Sequence, residues 1–217
     1  MKYLLYFLSA LLFSACVSNN SEDVNIKITS HDFLRDIPVF TDDSLVNIVV
    51  EIPAGCNQKW EVNKETGFLE WEKVNNDSLR VVRYLPYPAN YGMIPRTWLP
   101  EAEGGDNDPL DVFLLGERVD RGSIIPARII GIIRMLDRGE QDDKLIAVPV
   151  DDWHYEISTL DQLNEQFSGV VSVLTSWLLN YKGEGVVDFQ GLDDEKAAKK
   201  VLLKSINAFK SKEGSMP

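Results

Sequence analysis

Between Val46 and Val150 the apolar residues come only in short runs: Val46 to Ile52, Gly67 to Trp71, Leu79 to Tyr84, Val112 to Leu115, Ala127 to Leu136 and Lys144 to Val150. Each run is of strand length, is rich in Val and Ile and is bounded by turn residues, with no long helical period between them. This spacing predicts a compact β-barrel or a similar closed sheet. After Val150 the period changes. In STLDQLNEQFSGVVSVLTSWLLNYKGEG a Ser158/Thr159 cap precedes Leu160, Leu163, Phe167, Val170, Leu174, Trp177 and Tyr181. Those steps of three or four predict one long amphipathic helix ending before Gly183. A second helix is expected from a cap at Asp193 or Asp194 through Ala197, Val201, Leu202 and Phe209. The fold class is therefore mainly β with α (α+β), a closed barrel with two helices packed outside. At 217 residues the chain can form one sizeable core, and residues 26–217 are assigned to a single domain.

The first sixteen residues, MKYLLYFLSALLFSAC, begin with a basic Lys2 and continue in an apolar run too short to span a membrane. Ser14-Ala15 before Cys16 resembles a bacterial lipobox, with Phe13 where Leu is usual. That resemblance implies a signal peptide over residues 1–15, lipid on Cys16 and a polar tether through residue 25. The expected location is the bacterial cell envelope, with the domain lipid-anchored outside the cytoplasm. Cys56 is then the single thiol of the body, so no internal disulfide is expected. The 34 acidic and 22 basic residues leave a net charge of −12, which argues against nucleic acid or an anionic membrane surface as a partner. It also repels an anionic substrate, unless metal ions reverse the local sign.

Acidic residues are concentrated at two places. GGDNDPLDVFLLGE sets Asp106, Asp108 and Asp111 within six positions of one another, just before an apolar run. Two carboxylates in a loop are usually an acidic surface turn; three beside a strand repel each other unless a cation sits among them. A calcium EF-hand loop is excluded, because its fifth and sixth positions would be Leu110 and Asp111. With Pro109 turning the chain, the three can converge on hard cations, and oxygen-only ligands suit Mg²⁺ or Mn²⁺ rather than Zn²⁺. RMLDRGEQDDKLIAVP repeats the theme with Asp137, Asp142 and Asp143 ahead of Lys144. Alone it is a hairpin loop; with the first cluster it supplies carboxylates for a second metal, an arrangement that recurs in phosphoryl hydrolysis. Glu51, Lys59 and Glu61 in EIPAGCNQKWEV, and Arg80, Arg83, Tyr84, Tyr87 and Tyr91 in LRVVRYLPYPANYG, add basic and phenolic groups.

VVEIP, KWE, YPANYG, DNDPLD, LDRGEQDDK and NYKG occur here in an order that resembles the soluble, magnesium-dependent inorganic pyrophosphatases of family I, from about Asn47 to Lys182. The resemblance implies a five-stranded OB-like barrel with helices outside. It also implies that Asp106, Asp111, Asp137 and Asp142 hold several Mg²⁺ ions, Mn²⁺ being an alternative, while Asp108 orients or deprotonates the attacking water. Lys59, Arg80, Tyr91, Lys144, Tyr181 and Lys182 would bind the phosphates, with Tyr87 nearby and Glu51 and Glu61 behind them. The arginine before YPANYG is spaced unusually, which leaves Arg83 in reserve for Arg80, and Arg138 adds a positive charge beside Asp137. The implied activity is hydrolysis of pyrophosphate to two orthophosphates. The alternatives are a lipid-anchored protein that binds phosphate ligands without activity, or a hydrolase of polyphosphate or nucleotide; a homo-oligomer is left open.

Overall fold

The computed structural model describes residues 26–41, 45–75, 78–150 and 156–214. The signal peptide, Cys16 and the tether lie outside the described residues. The strands are β1 (Lys27–Ile28), β2 (Val46–Ile52), β3 (Trp60–Val62), β4 (Leu69–Trp71), β5 (Lys73–Val74), β6 (Ser78–Leu79), β7 (Asn90–Met93), β8 (Asp111–Leu114), β9 (Ile124–Asp137), β10 (Glu140–Gln141) and β11 (Lys144–Pro149). They are followed by α1 (Leu160–Gln166), α2 (Val170–Asn180), β12 (Val187–Asp194) and α3 (Glu195–Glu213).

Five strands form a closed ring. β2 pairs β7, β7 pairs β8 and β11 pairs β9, all antiparallel, while β8 and β11 run parallel and β9 returns to β2. Closure depends on the length of β9. Its 14 residues give Ile124–Ala127 to β2 and Gly131–Asp137 to β12, and β11 pairs Ala127–Ile133. Strands covered on both faces carry continuous rather than alternating apolar sequence, and every residue of β2 is buried. Side chains still point alternately. Phe113, Ile146 and Val148 join the cluster with Leu163, Leu174 and Trp177 of α1 and α2, while Val112, Leu145 and Ala147 join Ala198, Leu202 and Ile206 of α3. Gly131 lets α1 seat closely, since a Cβ there would stand 2.3 Å from Leu160 Cγ.

The expected first helix is two. Gly169, at φ +91°, turns the backbone left-handed and separates α1 from α2. The predicted stripe continues across the break, because Leu160, Leu163, Leu174 and Trp177 are all buried. Both anticipated caps are present: Thr159 accepts the Gln162 N–H, and Asp194 accepts the Ala197 N–H at 2.8 Å. The run Leu79 to Tyr84 is mostly loop, with only Ser78–Leu79 as strand and a single bridge from Val81 to Gln58. Among the described residues no helix is long and apolar enough to cross a membrane.

Candidate active site

The pairing of the ring brings the acidic segments to one rim. β8 and β11 run parallel and begin in register, so Asp111 lies directly across from Lys144. β9 runs the other way beside β11 and ends at Asp137, next to the same rim. β7 contributes Tyr91, whose hydroxyl donates to Asp111 Oδ2 at 2.6 Å. Lys144 Nζ is shared between Asp111 and Asp142, and Lys182 Nζ pairs with Asp137. Two ammonium groups approach the Tyr91 ring, Lys59 Nζ at 5.8 Å and Lys144 Nζ at 5.9 Å from its centroid. Glu51, Lys59, Glu61, Lys64, Asp108 and Asp111 line a cleft of about 400 Å³.

Burial and crowding raise the proton affinities of Asp106, Glu51 and Asp108. Burial first, then the charges of Asp111, Asp142 and Asp108, push Asp106 up to about 7. Burial pushes Glu51 up to about 8 against the opposing pull of Lys59, and its Oε1 accepts the Val62 N–H at 2.7 Å. Asp108 is also raised by burial, with Lys64 working in the other direction. Burial alone would disfavour the Lys144 ammonium, but Asp111 and Asp142 outweigh it and raise its pKa. Burial raises the Tyr87 and Tyr91 hydroxyls, so both remain proton donors at neutral pH.

The donor set fits a hard cation. Each of Asp111, Asp142 and Asp137 already has a positive ammonium against a carboxylate oxygen. Among the described residues Asp137 Oδ1 is buried without a hydrogen-bond partner, and Asp106, in the same acidic group, is pushed toward protonation. Among the described residues no three acidic, His or Cys side chains form a ready-made cage; lysines hold the positions where cations would relieve the repulsion. Oxygen ligands of this kind suit Mg²⁺ or Mn²⁺.

Most residues expected at the site are gathered there, and some are placed in ways the sequence did not indicate. Tyr87 is buried against Tyr91, and Trp177 bridges Tyr87 to Tyr181 through ring contacts of 4.4 and 4.3 Å. Arg80 feels the Tyr181 and Tyr87 hydroxyls, yet Glu72 holds it by two 2.7 Å hydrogen bonds. Arg83 is exposed. Asp143 is buried and paired with Arg134. Arg138 is exposed on the two-residue β9–β10 turn, where φ is +52° at Arg138 and +91° at Gly139.

Lys64 is the residue that sequence reasoning missed. Its Nζ lies 2.6 Å from Asp108 Oδ1 and donates to the Asn107 carbonyl at 3.1 Å. Its only sequence signal is position, three residues after Glu61 on the turn that follows β3. Asp106 and Asp108 are themselves joined by a local turn, in which Asp106 Oδ1 accepts the Asp108 N–H at 3.1 Å and Asn107 takes φ +59°.

Known proteins resemble this chain in sequence and in fold. A family model described as inorganic pyrophosphatase matches residues 48–210. The chain is 33% identical over 188 residues to a chloroplastic soluble inorganic pyrophosphatase of Arabidopsis thaliana, covering 79% of this chain and 61% of that one. It is 35% identical over 165 residues to an inorganic pyrophosphatase of Mus musculus, covering 68% of this chain and 56% of the relative. It thus spans little more than half the length of the curated relatives it matches. Among solved structures, the inorganic pyrophosphatase of Helicobacter pylori is similar with a TM-score of 0.67 and 32% identity, covering 81% of this chain and 99% of that one. That of Schistosoma japonicum is similar with a TM-score of 0.76 and 28% identity, over 84% and 74% of the two chains.

Proposed function

Because this chain belongs to the inorganic pyrophosphatase family, we propose that it hydrolyses pyrophosphate to two orthophosphates, with Asp106, Asp111, Asp137 and Asp142 holding several Mg²⁺ ions. The observation that carries this reading is the Lys144 ammonium between Asp111 and Asp142, a cation position at the rim where both acidic segments meet. Bound divalent cations supply charge neutralisation and a more acidic water. The chain supplies the rest. Asp108 accepts a proton from the attacking water, at the oxygen that Lys64 leaves free. Lys59, Lys144, Lys182 and Arg80 bind the phosphates as charges, and Tyr91 and Tyr181 bind them as hydroxyl donors. Glu51 and Glu61 hold Lys59 and the β3 turn from behind, through the Glu61 contact at 3.5 Å and the Val62 N–H. The net charge of −12 becomes intelligible, since the carboxylates first draw cations and the loaded rim then draws the polyanion.

Orthophosphate release from pyrophosphate, tripolyphosphate and a nucleoside triphosphate at equal Mg²⁺ separates this reading from its alternatives. Pyrophosphate should be turned over far faster than the others. Preference for tripolyphosphate or nucleotide would reassign the substrate, and binding of pyrophosphate without turnover would make the chain a binding protein.

For the N-terminus we propose removal of residues 1–15, lipid on Cys16, a tether through residue 25 and a catalytic domain outside the cytoplasm. The support is the basic start, the short apolar run and the small pair before Cys16. More than one acyl chain is needed for lasting attachment. In a bacterial host the chain should take up a fatty-acid label and fractionate with membranes, and Cys16→Ala should do neither; a membrane-bound variant and an unlabelled parent would indicate an uncleaved hydrophobic anchor.

A further inference from the structure

A second concavity, of about 480 Å³, shares no lining residue with the cleft at the acidic rim. Two guanidinium groups line it, Arg118 and Arg121, in a chain whose net charge is −12. Arg121 is held in place by neutral groups. Its Nε donates to the Glu51 carbonyl at 2.9 Å, its Nη2 donates to Gln58 Oε1 at 3.2 Å, and its guanidinium lies 4.2 Å from the Trp60 ring centroid. Arg118 Nη2 approaches Cys56 Sγ at 3.7 Å. Arg121 is half-buried, and burial, with the nearby Arg118 charge adding to it, lowers its pKa. Two positive charges thus share one hollow, and among the described residues their contacts are to a carbonyl, an amide, a ring and a thiol rather than to carboxylates.

A guanidinium fork already fixed by its neighbours loses little freedom on taking a ligand, and such forks match the oxygens of a phosphate in pairs. We propose that Arg118 and Arg121 form a second anion site, apart from the acidic rim, for a small phosphate-class oxyanion. It requires no metal, which sets it apart from the cleft. Asp120 lines the same hollow and opposes the anion, so it limits affinity. Because Arg121 holds the main chain of Glu51, whose side chain lines the cleft, an occupant lies one residue away from the proposed hydrolytic site.

Cys56 is only partly buried and touches Arg118, so it reports on the hollow. The test uses the full chain with Cys16→Ser, which leaves Cys56 as the sole thiol, held in chelator. Alkylation of Cys56 by iodoacetamide is followed as inorganic phosphate or pyrophosphate is raised, with chloride at equal ionic strength as control. Phosphate at about four times its dissociation constant should slow alkylation about fivefold by mass action, with saturation. Arg118→Gln should abolish the protection, and Asp120→Asn should move it to lower phosphate. The anion with the lower midpoint identifies the preferred ligand. Arg121→Gln is less informative, since Arg121 also ties down Glu51, whereas Arg118 is exposed and has no such tie. Absence of protection, or equal protection in Arg118→Gln, would overturn the site without touching the hydrolytic reading.

Discussion

Lys144 and Asp111 face each other as the first residues of two parallel strands, and the Lys144 ammonium is shared between Asp111 and Asp142. The lysine is almost fully buried, so it neutralises both carboxylates where solvent cannot. In the metal-free protein it acts as a counter-ion, and under the proposed function the same charge is available to a substrate phosphate.

Replacing Lys144 by Gln removes the charge that Asp111 and Asp142 share. Breaking a buried ion pair from one side commonly costs roughly 3 to 5 kcal/mol, so the metal-free variant should unfold at a clearly lower temperature. Mg²⁺ should then raise the melting temperature of Lys144→Gln by more than that of the parent, because the cation takes over the lost charge. Thermal unfolding with chelator and with Mg²⁺ measures both, and equal gains would show that the carboxylates do not share a cation.

Metal-free stability should fall as pH rises. Glu51 is pushed from 4.5 up to about 8 and Asp106 from 3.8 up to about 7. Between the unfolded and folded values the native state keeps protons that the unfolded chain has released, so unfolding becomes easier with increasing pH. The decline should begin near pH 3.8, where Asp106 of the unfolded chain loses its proton, and level off above about pH 8, once Glu51 has ionised in the folded protein. Urea titrations in chelator across this range should show it; Glu51→Gln should flatten the upper part, and Mg²⁺ should reduce the share due to Asp106.

Asp108 is half-exposed, with 46% of its side chain accessible, and its ion pair is with the similarly exposed Lys64. Exposed pairs of this kind contribute about 0 to 1 kcal/mol, so Asp108→Asn should keep the melting temperature within a few degrees. Its turnover number should nevertheless fall by roughly 10² to 10⁴, the usual cost of losing a general base. Steady-state kinetics beside a melting curve separate the two effects; near-parental turnover would place the proton acceptor elsewhere.

The parts of the fold that were legible in the sequence are those whose side chains are buried. β2 and β11 stand out as apolar runs because the ring covers them on both faces. β12 did not, since VDFQGLDD leaves most of its side chains exposed and is held as a strand by backbone pairing to β9. The break at Gly169 is a backbone event inside an unbroken apolar stripe, so periodicity alone passes through it. At the site, the spacing of Asp106, Asp108 and Asp111 drew attention because adjacent charges need a reason to coexist. Lys64 gave no such signal, because its contact with Asp108 crosses 44 positions that only the fold brings together.

If the acidic rim holds divalent cations for pyrophosphate hydrolysis, orthophosphate release from pyrophosphate must follow Mg²⁺ across a titration. The parent chain should be silent in chelator and gain turnover as Mg²⁺ is raised. Asp106→Asn and Asp142→Asn should need more Mg²⁺ for half-maximal rate and reach a lower maximum. Undiminished turnover after exhaustive chelation, or unchanged Mg²⁺ dependence in both variants, would show that the rim does not hold the cations.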